Sequence, residues 1–235
     1  MIAKSQNIAL LVIGNLAQEN SDWVEYANYC FYREKGLRKD AFNYLNAFLK
    51  KTENWDLNKK IDFLNFLFPF FEKVEDADYA GFPQPLSNNM IKPTLEKWCE
   101  KETHNGNPFR WYGTYYGSEK HLFKALEINP FDDLARQKII QKWKYNIYYS
   151  VHHLPEGYIG YPDEDIQLGE KIKSQIKQLT NSELQDYWTN YLEEDLELVR
   201  NYIEWKKSGH PDLEKWGEKN NKRVCYGGIS RAYYY

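Results

Sequence analysis

Apolar residues recur along most of this chain at the three- and four-residue spacing that lines one side of a helix. The best-specified corner lies in residues 117–150. Leu122, Ala125, Leu126 and Ile128 predict a helix that Asn129-Pro130 stops, because proline disfavours helical geometry in the residue before it. Asp132 or Asp133 then offers a side-chain oxygen to cap a second helix, with Leu134, Ile139, Ile140, Trp143 and Ile147 on its buried side.

Upstream, a first helix is expected at about 3–18, with Ile2, Ile8, Leu11 and Leu16 inward. Ser21 and Asp22 are read as the cap of a second, supported by Glu25 at capping-box spacing, with Trp23, Tyr26, Ala27, Cys30 and Phe31 as its stripe and Gly36 as its stop. Ala41, Tyr44, Leu45, Phe48 and Leu49 give a third helix at i, i+3, i+4, i+7, i+8. Asp56 opens a fourth, carrying Ile61, Leu64, Leu67, Phe68 and Phe71, with a kink expected at Pro69.

Three stretches read as irregular: 76–93, with three prolines and a glycine; 104–117, with five aromatics among glycines; and 152–165. Pro93 suits the first turn of a helix carrying Leu95 and Trp98. Asp163 or Asp165 is the expected cap of a helix with Ile166, Ile172, Ile176 and Leu179 inward. Asn181 and Ser182 mark the entry to the longest helix, with a stripe from Leu184 through Tyr187, Trp188, Tyr191, Leu192, Leu196 and Val199 to Ile203. A short helix at 213–219 precedes a Gly/Tyr-rich tail.

No run alternates as a half-buried strand does. The expected fold is therefore all-α: antiparallel helical hairpins, stacked as a short solenoid or packed as a compact α–α bundle. One domain, 1–235, is expected, subdivided into a four-helix region over 1–76, a loop over 77–93, a second helical region over 94–220 and a tail over 221–235.

The segment Leu122-x-x-Ala125-Leu126-x-x-Asn129-Pro130, with Ser118 seven positions before the alanine, resembles the second helix and closing proline of a tetratricopeptide repeat. It covers one half-unit, residues 118–130. Gly106, Asn107 and Pro108 stand where that family has its tryptophan-led first helix. The resemblance implies stacked helix pairs that hold a peptide or protein on a concave surface. Asp22 and Asp56, both at helix starts, lie 34 positions apart, a single coincidence with that repeat length.

Composition adds one unusual feature. Of 235 residues, 20 are Tyr, 12 Phe and 8 Trp, so rings either fill the core between helices or form a binding face. A net charge of −3, with basic residues dispersed, gives no footprint for nucleic acid. The apolar run at 8–14 is too short to span a bilayer and lacks a clear cleavage site, so the expectation is a cytoplasmic protein without membrane association. Cys30, Cys99 and Cys225, odd in number and far apart, fit a reducing compartment.

Candidate chemistry is thin. His152-His153 with Glu156 and Asp163 matches no metal-ligand spacing, and no HExxH, GxSxG, CxxC or phosphate loop occurs. Cys225 beside Arg223 is the one thiol placed for a lowered pKa. Glu193, Glu194, Asp195 and Glu197 read as a solvated acidic helix face.

No cofactor, metal or catalytic residue is therefore expected. The reading is a non-catalytic protein-interaction module, monomer or homodimer, whose specific version is a bacterial immunity protein that neutralises a toxin domain. Its partner-binding candidates are Trp111, Tyr112, Tyr115, Tyr116, Tyr158, Tyr161, Asp163 and Glu164. The alternative is an all-α hydrolase with a pocket formed by 76–93, 104–117 and 152–165.

Overall fold

A computed structural model describes residues 4–74 and 77–226, and among them every regular element is helical. The all-α expectation holds. Ile2 and the tyrosines of the tail lie outside the described residues. The chain divides into two compact units, Met1–Tyr115 and Tyr116–Tyr235, so the division falls at the aromatic stretch and not at 77–93.

The first unit contains α1 (Lys4–Gln18), α2 (Val24–Glu34), α3 (Arg38–Thr52), α4 (Leu57–Lys73), α5 (Ala77–Gly81), α6 (Gln84–Leu86), α7 (Lys92–Lys101) and α8, assigned Asn107–Tyr116. Short connections place α1 on α2 and α2 on α3 as antiparallel neighbours, and α4 packs against α5 and α7. Gly14 permits the closest of these approaches, since a Cβ there would sit 2.7 Å from the Phe31 ring. The expected stops and starts at Gly36 (φ +75°) and Asp56, whose carboxylate accepts from the Lys59 amide at 2.8 Å, are both present. Pro69 lies inside α4.

Rings supply the core of this unit. Phe63 lies 5.1 Å from Tyr26 and 4.9 Å from Phe48, Trp55 meets Phe48 at 5.5 Å, and Phe68 stacks on Trp111 at 4.7 Å. Much of the aromatic excess is thus interior packing, where each ring removes a large apolar area from water.

Several expectations need correction here. In α1 the buried positions are Ala9, Leu10, Ile13 and Ala17, while Ile8, Leu11 and Leu16 are exposed. Apolar residues of equal size stand on both sides of this helix, and the side that also carries Ala9 and Ala17 is the one that packs. The cap expected from Ser21 or Asp22 is absent: Trp23 precedes α2 without a side-chain cap, and Asp22 instead pairs with Lys59 at 2.7 Å.

The stretch 76–93 is largely helical rather than a loop. α6, a π-helical turn (Ser87–Ile91) and α7 follow without a break, so residues 84–101 form one continuous helical segment. Pro85 lies in the first turn of α6, where its missing N–H costs least, and Pro93, at the start of α7, directly follows the π-helical turn. Likewise 107–116 is α8, started by Asn107-Pro108, with Gly113 buried inside it.

The second unit contains α9 (Glu119–Ile128), α10 (Asp133–Val151), α11 (Pro162–Ile176), α12 (Ser182–Ser208) and α13 (Leu213–Asn220). The corner after α9 forms as expected, and Asp132 accepts from the Ala135 amide at 3.0 Å. α10, α11 and α12 each pack on the other two around Ile140, Ile147, Ile172, Ile176, Leu192, Leu196 and Val199. Leu134 is exposed, a second phase error, and Leu126 is half-buried. Asn181, not Ser182, caps α12, accepting from the amides of Glu183 and Leu184. Neither Asp163 nor Asp165 caps α11, because Pro162 fills its first turn and Asp165 is buried. Gly209 (φ +69°) ends the longest helix.

After α13 the chain turns at Asn221 (φ +51°) and returns along α12. Asn201 Nδ2 donates to the Arg223 carbonyl at 2.7 Å, and Lys222 pairs with Glu204 at 3.2 Å. Gly217 lets this segment lie close, since a Cβ there would meet Val224 at 2.8 Å and the Lys222 carbonyl at 3.0 Å.

Candidate functional site

In the second unit α10 carries apolar and aromatic residues on its outer side as well as its inner one. Tyr145 (61% exposed), Tyr148, Tyr149, Tyr187 and Tyr191 all face solvent. They fall in two groups, one on α10 and one on α12. Tyr145 and Tyr148 have ring centroids 6.0 Å apart, Tyr148 stacks on His152 at 5.6 Å, and Tyr149 lies 5.0 Å from His152. Tyr226 joins the α10 group 5.5 Å from Tyr148, and on α12 Tyr187 and Tyr191 are 5.9 Å apart.

Beneath them is a buried charge pair. The Lys144 ammonium lies 2.6 Å from Asp195 Oδ2, and both residues are almost completely shielded, 3% and 0% exposed. The Tyr226 hydroxyl donates to Asp195 Oδ1, and the Tyr191 ring centroid lies 3.4 Å from the ammonium. The pair thus links both tyrosine groups through side chains that are themselves satisfied. Burial and the neighbouring carboxylate raise the Tyr226 phenol far above its ordinary value, so it stays protonated and donates.

This overturns the reading of Glu193 to Glu197 as wholly solvated. Glu193 and Glu197 do meet partners at the surface, Arg200 at 2.7 Å and Arg223 at 3.7 Å, but Asp195 is interior. A signal was available. Lys144 sits four residues after Ile140 and three before Ile147, while Asp195 sits three after Leu192 and four before Val199, each squarely on a buried stripe.

The partner-binding candidates fall in different settings. Trp111 is 1% exposed and its indole donates to Glu72 at 2.7 Å, with Arg110 clamping the same carboxylate at 2.9 Å. It is core, not surface. Tyr112 donates to Glu96 at 3.1 Å, and Tyr115 packs 5.1 Å from both Phe68 and Phe82. Tyr116 is half-buried at the end of α8. Tyr158 donates to Asp165 at 2.5 Å and stacks on Tyr202 at 4.6 Å. Burial raises the Asp165 carboxyl above its ordinary value. Tyr161 (71% exposed), Asp163 and Glu164 are open to solvent at the start of α11.

One hydroxyl–imidazole contact is present, Ser118 Oγ to His121 Nδ1 at 2.7 Å, at the start of α9. Among the described residues no group of three or more His, Cys, Asp or Glu converges. The His152 and His153 rings lie 4.0 Å apart, and His152 Nδ1 meets the Tyr149 carbonyl at 2.7 Å. None of the three cysteines is in a disulfide; burial raises the Cys30 thiol and pushes Cys99 up to about 12. Burial raises Cys225 too, outweighing the Arg223 charge that was expected to lower it. Among the described residues no helix is long and apolar enough to cross a membrane.

The site and fold define an all-α chain of two compact units, one with a solvent-facing tyrosine tract. No protein-family model, no curated protein and no solved structure matches it.

Proposed function

We propose that this chain is a non-catalytic protein-binding module and that the tyrosine tract of α10 and α12 is its contact surface. The observation that carries this is the exposure of five tyrosines in two groups, on α10 and α12, joined underneath by one hydrogen-bonded buried pair. Tyrosine gives large amphipathic contact area for the ordering of only two side-chain torsions, which is why it is enriched at binding hot spots. The open Tyr161, Asp163 and Glu164 extend the candidate surface in the same unit with negative charge.

In its specific form the module is a cytoplasmic immunity protein of a bacterium, binding and neutralising a toxin domain. The mild net negative charge suits a basic partner, and three cysteines outside any disulfide suit a reducing compartment. The kinship with tetratricopeptide helix pairs draws support from α9 and α10, which pack together with Leu122 and Ala125 buried.

The test is affinity purification from source cells of the wild-type chain and of Tyr145→Ser/Tyr149→Ser/Tyr187→Ser. The expected result is one stoichiometric partner retained by the wild type and lost by a variant with unchanged circular dichroism. Absence of any stoichiometric partner, or equal retention by both chains, overturns the reading. For the immunity form, the partner's toxic activity must fall on addition of the wild-type chain.

A further inference from the structure

We propose that a cleft in the first unit, between the start of α4 and the π-helical turn, binds a small aromatic carboxylate. Trp55, Leu57 and Met90 supply its apolar lining, Thr94 a hydroxyl, and Lys60 and Lys97 positive charge.

The cleft has a local cause. In the π-helical turn the Lys92 amide donates to the Ser87 carbonyl, five residues back instead of four, which inserts an extra residue and widens the helix. Pro93 follows directly. It has no N–H to give the turn behind it, and its ring clashes with the carbonyl that α-helical packing would place there. The widened turn relieves that clash. The Thr94 hydroxyl donates to the Met90 carbonyl at 2.6 Å, tying the turn together and leaving its oxygen lone pairs free to accept.

Size selects the ligand first. The space is about 120 Å³ and open to solvent on one side. A closed apolar cavity of roughly 150 Å³ takes benzene. The cleft is smaller than that but open, so it admits one edge of a single ring, with the rest of the ring and a polar substituent at the mouth.

Charge selects next. The lining residues bring two positive charges and no carboxylate. The Lys60 and Lys97 ammonium groups make no hydrogen bond or ion pair among the described residues, whereas those of the nearby Lys51 and Lys59 are both engaged by Asp22. Two uncommitted ammonium groups beside an apolar recess favour an anion with a flat hydrophobic body, and their long stems let them reach it while staying hydrated. This site is independent of the tyrosine tract and of the reading built on it.

The chain has two methionines, Met1 and Met90, so methyl-¹³C-methionine labelling places a single reporter in the cleft. Benzoate, benzamide and benzylamine are titrated in turn into the full chain. Benzoate is expected to shift the Met90 methyl resonance saturably in the millimolar range or below, with benzamide and benzylamine at least about tenfold weaker. Lys60→Ala/Lys97→Ala is expected to weaken benzoate about tenfold, the loss of two partly exposed ion pairs. An unchanged ligand-free Met90 resonance in that variant shows that the cleft still forms. Lys97→Ala alone, at an exposed site, repeats the test if the double variant misfolds, with a smaller loss expected. No saturable shift, equal binding of benzamide, or undiminished benzoate affinity in the folded variants overturns the proposal.

Discussion

Asp195→Ala is the substitution whose consequence the structure fixes most sharply. It removes the partner 2.6 Å from the Lys144 ammonium and the acceptor of the Tyr226 hydroxyl together. What remains to the ammonium is the face of Tyr191, since the two side chains are only 4% and 1% exposed. Deleting one member of a buried pair costs about 3–5 kcal/mol, because the other is left charged in a medium that solvates it poorly. The half-buried Tyr226 turns to water and adds little.

Replacing both members by apolar groups of like volume, Lys144→Met/Asp195→Leu, removes the stranded charge and is expected to change stability by no more than about 1 kcal/mol. The cycle closed by the single variants Lys144→Met and Asp195→Leu, each of which strands one charge, should then show a coupling energy of about 5 kcal/mol or more. Urea unfolding followed by circular dichroism at 222 nm measures it, fitted with a separate transition for each compact unit. A loss below about 1 kcal/mol for Asp195→Ala, at an unchanged m-value, would refute the reasoning. So would a double variant that loses the sum of the single ones.

Four further outcomes are expected. Titration of the carboxyl carbons by NMR should place Asp165 above its ordinary value, since burial opposes its charge, and Glu102 below its own, since the amides of His104, Asn105 and Thr103 donate to it. The signs then oppose: Glu102 contributes stability that is lost as pH falls through its lowered value, whereas Asp165 favours the fold when protonated and loses that contribution as pH rises through its raised value. A disulfide reagent at pH 8 should find no fast thiol in the native chain, with Cys30 reacting only after urea unfolding; one thiol reacting within seconds would contradict the raised values. Gly14→Ala should cost about 1–3 kcal/mol in chemical unfolding, because its methyl group would press into the Phe31 ring at 2.7 Å. Glu72→Ala should cost about 1–3 kcal/mol or more, since it strands the buried Trp111 indole N–H and removes the Arg110 clamp; a neutral result would show that water replaces the carboxylate.

Helix type and most corners were legible in the residue pattern, because Asn129-Pro130, Asp56, Gly36 and Gly209 act through local backbone chemistry that no tertiary context overrides. Phase was harder. Where apolar residues surround a helix, as in α1 and α10, spacing cannot tell which side meets a neighbour. Proline misled in 76–93 and 104–117 where it was counted as a breaker, since Pro85 and Pro108 sit in first turns, whereas Pro93 was read as a helix start and is one. Of the candidate surface, Tyr161, Asp163 and Glu164 are exposed at the start of α11, but the tyrosines of α10 and α12 were assigned inward or passed over. Lys144 and Asp195 were missed because charge suggests water until a partner 51 residues away is known.

The returning segment 221–226 sets an order on biosynthesis. Every residue of the first unit leaves the ribosome before residue 116, so that unit can complete itself while the remainder is still being made. The second unit has no such freedom: its interior aspartate waits for one of its donors until Tyr226, more than eighty residues behind Lys144, has cleared the exit tunnel. A chain stalled at α13 would carry a finished first half and a second half whose central carboxylate still lacks that hydroxyl.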